Sequence, residues 1–305
     1  MVREAISTFA KQALLSGGHY RRALVRSRFP GVAVLCYHGV RPDDMPPGTI
    51  RFQYLHIRES TFDSHCRVIR ECCDPISLED WRAAAEGRAS LPARPVLVTF
   101  DDGYRSVLTR AAPVLARYDI PAVVFVCSGP MASRRLLWFD AVAERDGEDS
   151  VEAWKTCDYD SWGAGCAETP VLPESDPRIL LSPEELETLS RIKGIEIGGH
   201  TVWHPILARA SNLQQREEIE RNLASIRQWT GVPVRAFAYP NGRPGVDYTD
   251  ATTAILKDAG VDIAFTTKPS FAAKDEAPLE RSRFIMLDDL SDGELAHRLT
   301  YSWPR

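Results

Sequence analysis

The stretch Thr99-Phe100-Asp101-Asp102-Gly103-Tyr104 sets two carboxylates side by side after Pro95-Val96-Leu97-Val98, an apolar run bounded by proline and glycine. The run predicts a buried strand with the acids at its C-terminal end. Neighbours on an extended strand point to opposite sides, so one carboxylate can bind a metal while the other serves as a base. Asp-Gly is also a common turn dipeptide, and the hexapeptide by itself fits an acidic turn as well. A second stretch, Gly198-Gly199-His200-Thr201-Val202-Trp203-His204-Pro205, follows the short strand candidate Ile195-Glu196-Ile197. Histidines four apart share a face in one helical turn, and imidazole is the commonest metal ligand. Two histidines capping a loop are the alternative. Joined to Asp-Asp-Gly at another strand end, the pair makes a carboxylate-plus-two-imidazole set with an open position, the ligand set of a catalytic zinc site.

The elements that must position these residues follow from periodicity. Apolar runs at 32–37, 95–98, 121–126, 195–197, 234–239, 262–267 and 283–287 predict seven strands. The first ends at His38-Gly39, and the fifth at Pro240-Asn241-Gly242, a turn signal. Helices are predicted from Ser60, with Phe62, Cys66, Ile69 and Cys73 on one face, then over 78–86 and 107–118. Ser182-Pro183-Glu184-Glu185 is a capping box with proline at the first helical position, opening a helix to about Lys193. Further helices are predicted over 213–230, closed by Gly231, and over 252–259. Strands separated by helices imply parallel pairing with right-handed crossovers. His38, Asp101, Asp102, His200, His204 and Asn241 all fall at strand C-termini, the face a β/α barrel uses. Residues 128–181 break the rhythm and hold Trp138, Trp154, Tyr159 and Trp162. They are expected to be an irregular insert, either a lid whose aromatics stack on sugar rings or a small satellite core.

Composition bounds the class. At 305 residues, 44% hydrophobic and 26% charged, the chain suits one large α/β domain. A net charge of −5 argues against coating nucleic acid, and no apolar run is long enough to span a membrane. Seven cysteines (Cys36, Cys66, Cys72, Cys73, Cys127, Cys157 and Cys166) form no CxxC and are expected to be reduced. Residues 1–30 form a separate basic extension. Arg3, Lys11, Arg21, Arg22, Arg26 and Arg28 face only Glu4, so the segment is +5, with Ile6, Phe9, Ala13 and Leu14 at helical spacing. Such a helix can lie on an anionic membrane or pack on the domain.

With these residues in place, the chain from about 32 to 287 resembles the polysaccharide deacetylases of carbohydrate esterase family 4, the NodB-homology domain. Thr99–Tyr104 matches the first family motif, TFDDG[YF], and His200–Pro205 the second, H[ST]xxHP. The resemblance implies an α/β fold, a distorted (β/α)7 barrel forming a single domain with the irregular insert. It implies a divalent metal, usually Zn2+, held by Asp102, His200 and His204, with Asp101 as general base. Phe237-Ala238-Tyr239-Pro240-Asn241-Gly242 aligns with the third motif, so Asn241 would supply a backbone N–H to the oxyanion. Ala238 stands where the family has an arginine that braces the base, with Arg235 or another arginine as replacement. The usual leucine-x-histidine motif near the C-terminus is missing, and His297 is a poor substitute. Tyr37-His38 is similar to the strand end of the poly-N-acetylglucosamine deacetylase branch, which assigns His38 as the acid.

These features together predict a metal-dependent hydrolase that removes an N-acetyl group from an amino sugar in a polysaccharide or glycolipid precursor. Two other readings stand beside it: a deformylase or deacylase of a lipid-linked sugar at the cytoplasmic membrane face, and a non-catalytic carbohydrate-binding barrel. The expected partner is an N-acetylated amino sugar or glycan, with no nucleic acid. The N-terminus lacks a signal-peptide pattern, so a cytoplasmic location is expected, with peripheral membrane contact through residues 1–30.

Overall fold

The seven predicted apolar runs all form strands, and they sit side by side in chain order. The computed structural model describes residues 2–166 and 169–301. We label the barrel strands β1 (Gly31–Tyr37), β2 (Pro95–Phe100), β3 (Ala122–Val126), β4 (Ile195–Gly199), β5 (Ala236–Ala238), β6 (Ile263–Phe265) and β7 (Phe284–Ile285). Each pairs in parallel with the next from β1 to β6, and β7 returns to pair with β1. Between β6 and β7 an isolated bridge pairs Phe265 with Arg281. The result is a parallel sheet curled into a distorted barrel, with a two-residue antiparallel strand, Ala272–Ala273, on β1.

Both faces of the sheet are buried, which is why the strands read as unbroken apolar runs. Val32, Val34, Leu97, Val123, Phe125 and Phe265 fill the barrel interior, where Trp81 of the Leu78–Ala85 helix closes the bottom. Ala33, Leu35, Tyr37, Val96, Val98 and Phe100 face the surrounding helices. This alternation sets the chemistry: continued upward, the inward positions become Cys36 and His38 on β1, and Thr99 and Asp101 on β2.

Register brings the strand ends level. Tyr37 pairs with Phe100, Val126 with Gly199, and Gly199 with Phe237. Beyond β2, the Asp101 N–H still donates to Tyr37 O at 2.9 Å. All the predicted site residues therefore emerge at one rim.

Several local expectations are corrected. Residues 41–58, with Pro42, Pro46, Pro47 and Gly48, read as loop in the sequence, yet Gly39–Arg41 pairs with His56–Arg58. The following helix starts at Glu59, and Ser60 does not cap it; its hydroxyl donates to Asp43 instead. The helix opened by Ser182 ends at Ser190 rather than Lys193. Residues 128–181 are far from irregular, with short helices at Ser128–Ser133, Trp138–Asp146, Ser150–Trp154 and Tyr159–Cys166. Each is too short to show a clear 3.6-residue period. Trp138 and Trp162 form a satellite core with Val142, Ala143 and Val151.

The basic extension forms helices Val2–Ser16 and His19–Val25. It packs on the Asp292–Tyr301 helix through a Lys11–Glu294 ion pair at 2.5 Å and a Tyr20–His297 hydrogen bond at 3.1 Å. His297 is thereby committed away from the barrel mouth. Phe9 stays 79% exposed, while the Ile6 side chain lies outside the described residues. Six of the cysteines are free thiols, and Cys166 lies outside that description. No helix among the described residues is long and apolar enough to cross a membrane.

Candidate active site

Asp101 and Asp102 differ in how they reach the site. Asp101 continues the inward face of β2. Asp102, by strict alternation, would point out toward the helices. It does not, because the strand ends at Phe100 and Asp102 adopts φ +70°. The expectation that both acids ride an extended strand is corrected here: a left-handed residue swings the second carboxylate back into the same cavity. Gly103 follows at φ +88°, and a side chain there would strike Val126. A residue with a Cβ is disfavoured in that conformation and has no space.

The histidine pair is likewise not on a helix. Residues 200–206 form a loop in which Thr201 and His204 have φ +69° and +61°. The loop is held from behind by the Asn212–Thr230 helix. Buried Glu218 accepts the N–H groups of Val202 and Trp203 at 2.8 and 3.0 Å, and Asn222 accepts that of His200 at 3.0 Å. Asn241, with φ +56°, sits on the same cavity wall. Non-glycine residues in this region cost roughly 1–3 kcal/mol each. Of the seven such residues among those described, five (Phe52, Asp102, Thr201, His204 and Asn241) line or adjoin the site.

The carboxylates have contrasting partners. Arg283, fully buried just before β7, grips Asp101 with two bonds of 2.7 Å, Nη1 to Oδ1 and Nη2 to Oδ2. Its Nε donates to Thr266 O at 2.9 Å, and its guanidinium lies over the Phe125 and Phe265 rings. Burial pushes the Asp101 carboxyl up, but Arg283 overrides it and holds it well below the usual carboxylate range. Arg283 is thus the bracing arginine for which Ala238 leaves no candidate locally. Arg235 is not: it is half-exposed and pairs with Asp262 at 2.7 Å. The Cys36 thiol, kept protonated by burial, also donates to Asp101 Oδ2 at 3.4 Å.

Asp102 Oδ1 has no hydrogen-bond partner although it is buried. It lies 3.5 Å from both His200 Nε2 and His204 Nε2. That is too long for a strong hydrogen bond, and it matches the separation of roughly 3.4 Å for two ligands about 2.0–2.2 Å from one tetrahedral ion. His200 Nδ1 donates to Ala238 O at 2.7 Å, which leaves the Nε2 lone pair free. Burial holds the His204 imidazole neutral, its pKa lowered to about 3. This donor set fits a divalent cation. Cys127 Sγ is also within reach of Asp102 and His200, but burial keeps it a thiol, and it donates to His200 O at 3.2 Å.

His38 borders the same cavity beside Asp101, its Nδ1 buried and without a partner. The cavity holds about 220 Å³ and is walled by Phe52, Tyr54, Trp138 and Phe139 as well. The Trp138 indole donates to His204 O at 2.9 Å, and the Phe139 ring meets the His204 ring edge-on at 5.3 Å.

Sequence reasoning missed Arg283, Glu218, Asn222 and the two thiols. Glu218 and Asn222 had a signal: they are polar residues on the apolar Ile219–Leu223–Ile226 stripe of a helix. Arg283 had none, being one of 37 basic residues.

The family model for polysaccharide deacetylase matches residues 88–264. A poly-beta-1,6-N-acetyl-D-glucosamine N-deacetylase of Escherichia coli (strain K12) is 33% identical over 104 residues, 33% of this chain and 14% of the relative's length. The match thus spans a small part of that curated relative. Streptococcus pyogenes deacetylase PplD in complex with acetate superposes with a TM-score of 0.65 at 20% identity, covering 88% of this chain and 98% of that one. IcaB from Ammonifex degensii gives 0.64 at 24% identity, covering 88% and 97%. At these identities the likeness of the structures is one of fold. The family match over more than half of the chain, together with the barrel, shows that the chain belongs to the polysaccharide deacetylase family, hydrolases of the amide bond.

Proposed function

We propose that the chain removes the N-acetyl group from an amino sugar of a glycan, with Asp101 as general base and His38 as general acid. One observation carries the reading: a carboxylate kept ionised by a buried arginine stands beside an unpartnered carboxylate-and-two-imidazole set in one cavity. Asp102 Oδ1, His200 Nε2 and His204 Nε2 would hold a divalent ion, zinc by the ligand types. When bound, such an ion polarises an amide carbonyl and acidifies water.

The chain's own residues supply the rest. Asp101 takes the proton of the attacking water, its orientation set by Arg283. The Asn241 N–H at the cavity wall is assigned to the oxygen that gains charge. His38 gives a proton to the departing nitrogen. A C–O bond forms, the C–N bond breaks, and acetate and a free amine leave. The braced base argues against a non-catalytic binding barrel. A cytoplasmic location, with Phe9 and the basic residues of 1–30 at an anionic membrane face, belongs to the same proposal. It predicts binding to anionic vesicles that salt reverses.

The test is acetate release from N-acetylglucosamine oligomers, with formate measured in parallel on N-formylated sugars, before and after chelation and zinc restoration. Acetate release that needs the metal is expected. A metal-loaded protein that releases none from any N-acetylated sugar overturns the reading.

A further inference from the structure

The cavity is roofed on one side by a strap, residues 49–55. The strap is tied to both sides of the cavity through Phe52 and Tyr54. Near β7, the Asp288 N–H donates to Tyr54 O at 2.9 Å, and the Asp288 carboxylate is itself paired with Arg41 at 2.7 Å. At the insert, the Phe52 ring meets the Phe139 ring edge-on at 6.0 Å, and the Phe52 N–H donates to Glu148 at 3.4 Å. Phe139 in turn packs on the ring of His204. The strap thus links the segment after β7 to the insert at the cavity wall.

A polymer deacetylated at internal residues must pass through the site, so it needs a groove open at both ends. Here the Phe52–Phe139 ring contact and the Phe52 N–H bond to the Glu148 side chain tie the strap to the insert across one end. The space left, about 220 Å³, falls below the roughly 300–1,000 Å³ of pockets that enclose drug-sized ligands. It suits one ring, with Tyr54 and Phe139 as apolar walls and Glu152 and Lys155 on the rim to bind hydroxyls.

From this we infer that the site takes a terminal N-acetylated amino sugar, at a chain end or in a short oligosaccharide, and excludes the interior of a polymer. The inference rests on the deacetylase reading above. The probes are the N-acetylglucosamine tetramer, long N-acetylglucosamine polymer and the methyl glycoside of the single sugar, each with the zinc-loaded full chain. Acetate per chain is measured, and the deacetylated position is read by tandem mass spectrometry after 18O labelling of the reducing end.

One acetate per tetramer is expected, from one end. Terminal residues should exceed internal ones by at least roughly tenfold, equal to about 1.4 kcal/mol in transition-state free energy. The rate on polymer should follow the number of chain ends. Release of several acetates per tetramer, or from internal positions at equal rate, overturns the inference while leaving the deacetylase intact. No acetate from any of the three probes overturns the deacetylase reading instead. The strap is tested separately with Phe52→Ser and Phe139→Ala, each checked for an unchanged melting curve. Either should admit internal residues and raise acetate per chain. If a folded variant remains confined to the terminus, the strap does not set the specificity and the inference fails.

Discussion

Two neighbouring carboxylates occupy opposite situations. Around Asp101, the protein supplies every partner: Arg283 on both oxygens, Cys36 on one, and aromatic rings against the guanidinium. Around Asp102, partners are withheld: Oδ1 is buried and unbonded. A buried polar atom left unpaired costs about 1–3 kcal/mol, so such a gap persists where an external group completes it. His65 shows the difference for histidine. Equally buried behind β1, it is satisfied at both nitrogens, accepting from Tyr37 OH at 3.1 Å and donating to Leu290 O at 2.7 Å. One half of the site is a finished piece of protein, and the other is a socket.

The contrast can be broken most directly at the socket. Asp102→Asn or His204→Ala should strip the divalent ion and cut kcat by roughly 10³-fold or more, since the ion contributes several kcal/mol to the transition state. Metal content and kcat are the measurements, and full metal retention by both variants would refute the socket. Asp101→Asn should keep the metal yet lose about 10²–10⁴-fold in rate, the scale of a positioned general base. His38→Ala should behave the same way.

Arg283→Met sharpens the finished half. Removing one partner of a buried pair costs roughly 3–5 kcal/mol, so the melting temperature should drop sharply. The Asp101 carboxyl, no longer held down, should titrate higher. The acidic limb of the pH–rate profile should therefore shift to higher pH, and Arg283→Lys should restore part of that shift. An unmoved limb in both variants would separate Arg283 from the base.

The smallest effect concerns His65, whose pKa burial lowers to about 4. The unfolded chain takes up this proton near pH 6.5, whereas the folded chain resists until about 4. Stability should therefore fall as pH drops across that window, by on the order of 3 kcal/mol from this group. His65→Gln should flatten the slope of unfolding free energy between pH 6.5 and 4, whatever its absolute stability. An unchanged slope would place the titration elsewhere.

Strand positions, fold class and the metal-ligand candidates were legible in the chain because each is a local pattern: apolar runs, Asp-Asp-Gly, and histidines four apart. The geometry of those same motifs was not. Helical spacing suggested a shared face for His200 and His204, yet positive φ at Thr201 and His204 makes a loop held by Glu218. Alternation sent Asp102 outward, and one left-handed residue reversed it. The insert hid its helices because none is long enough for its period to emerge. What the residues alone determined, then, is which groups are available for hydrolysis and that strand ends present them. Tertiary structure decided the partner of Asp101: Arg283 lies 182 residues from it along the chain and reaches it only because β7 closes the barrel against β1. No local pattern encodes a contact made by closure, because the pairing energy depends on where the sheet ends meet and not on what adjoins either residue.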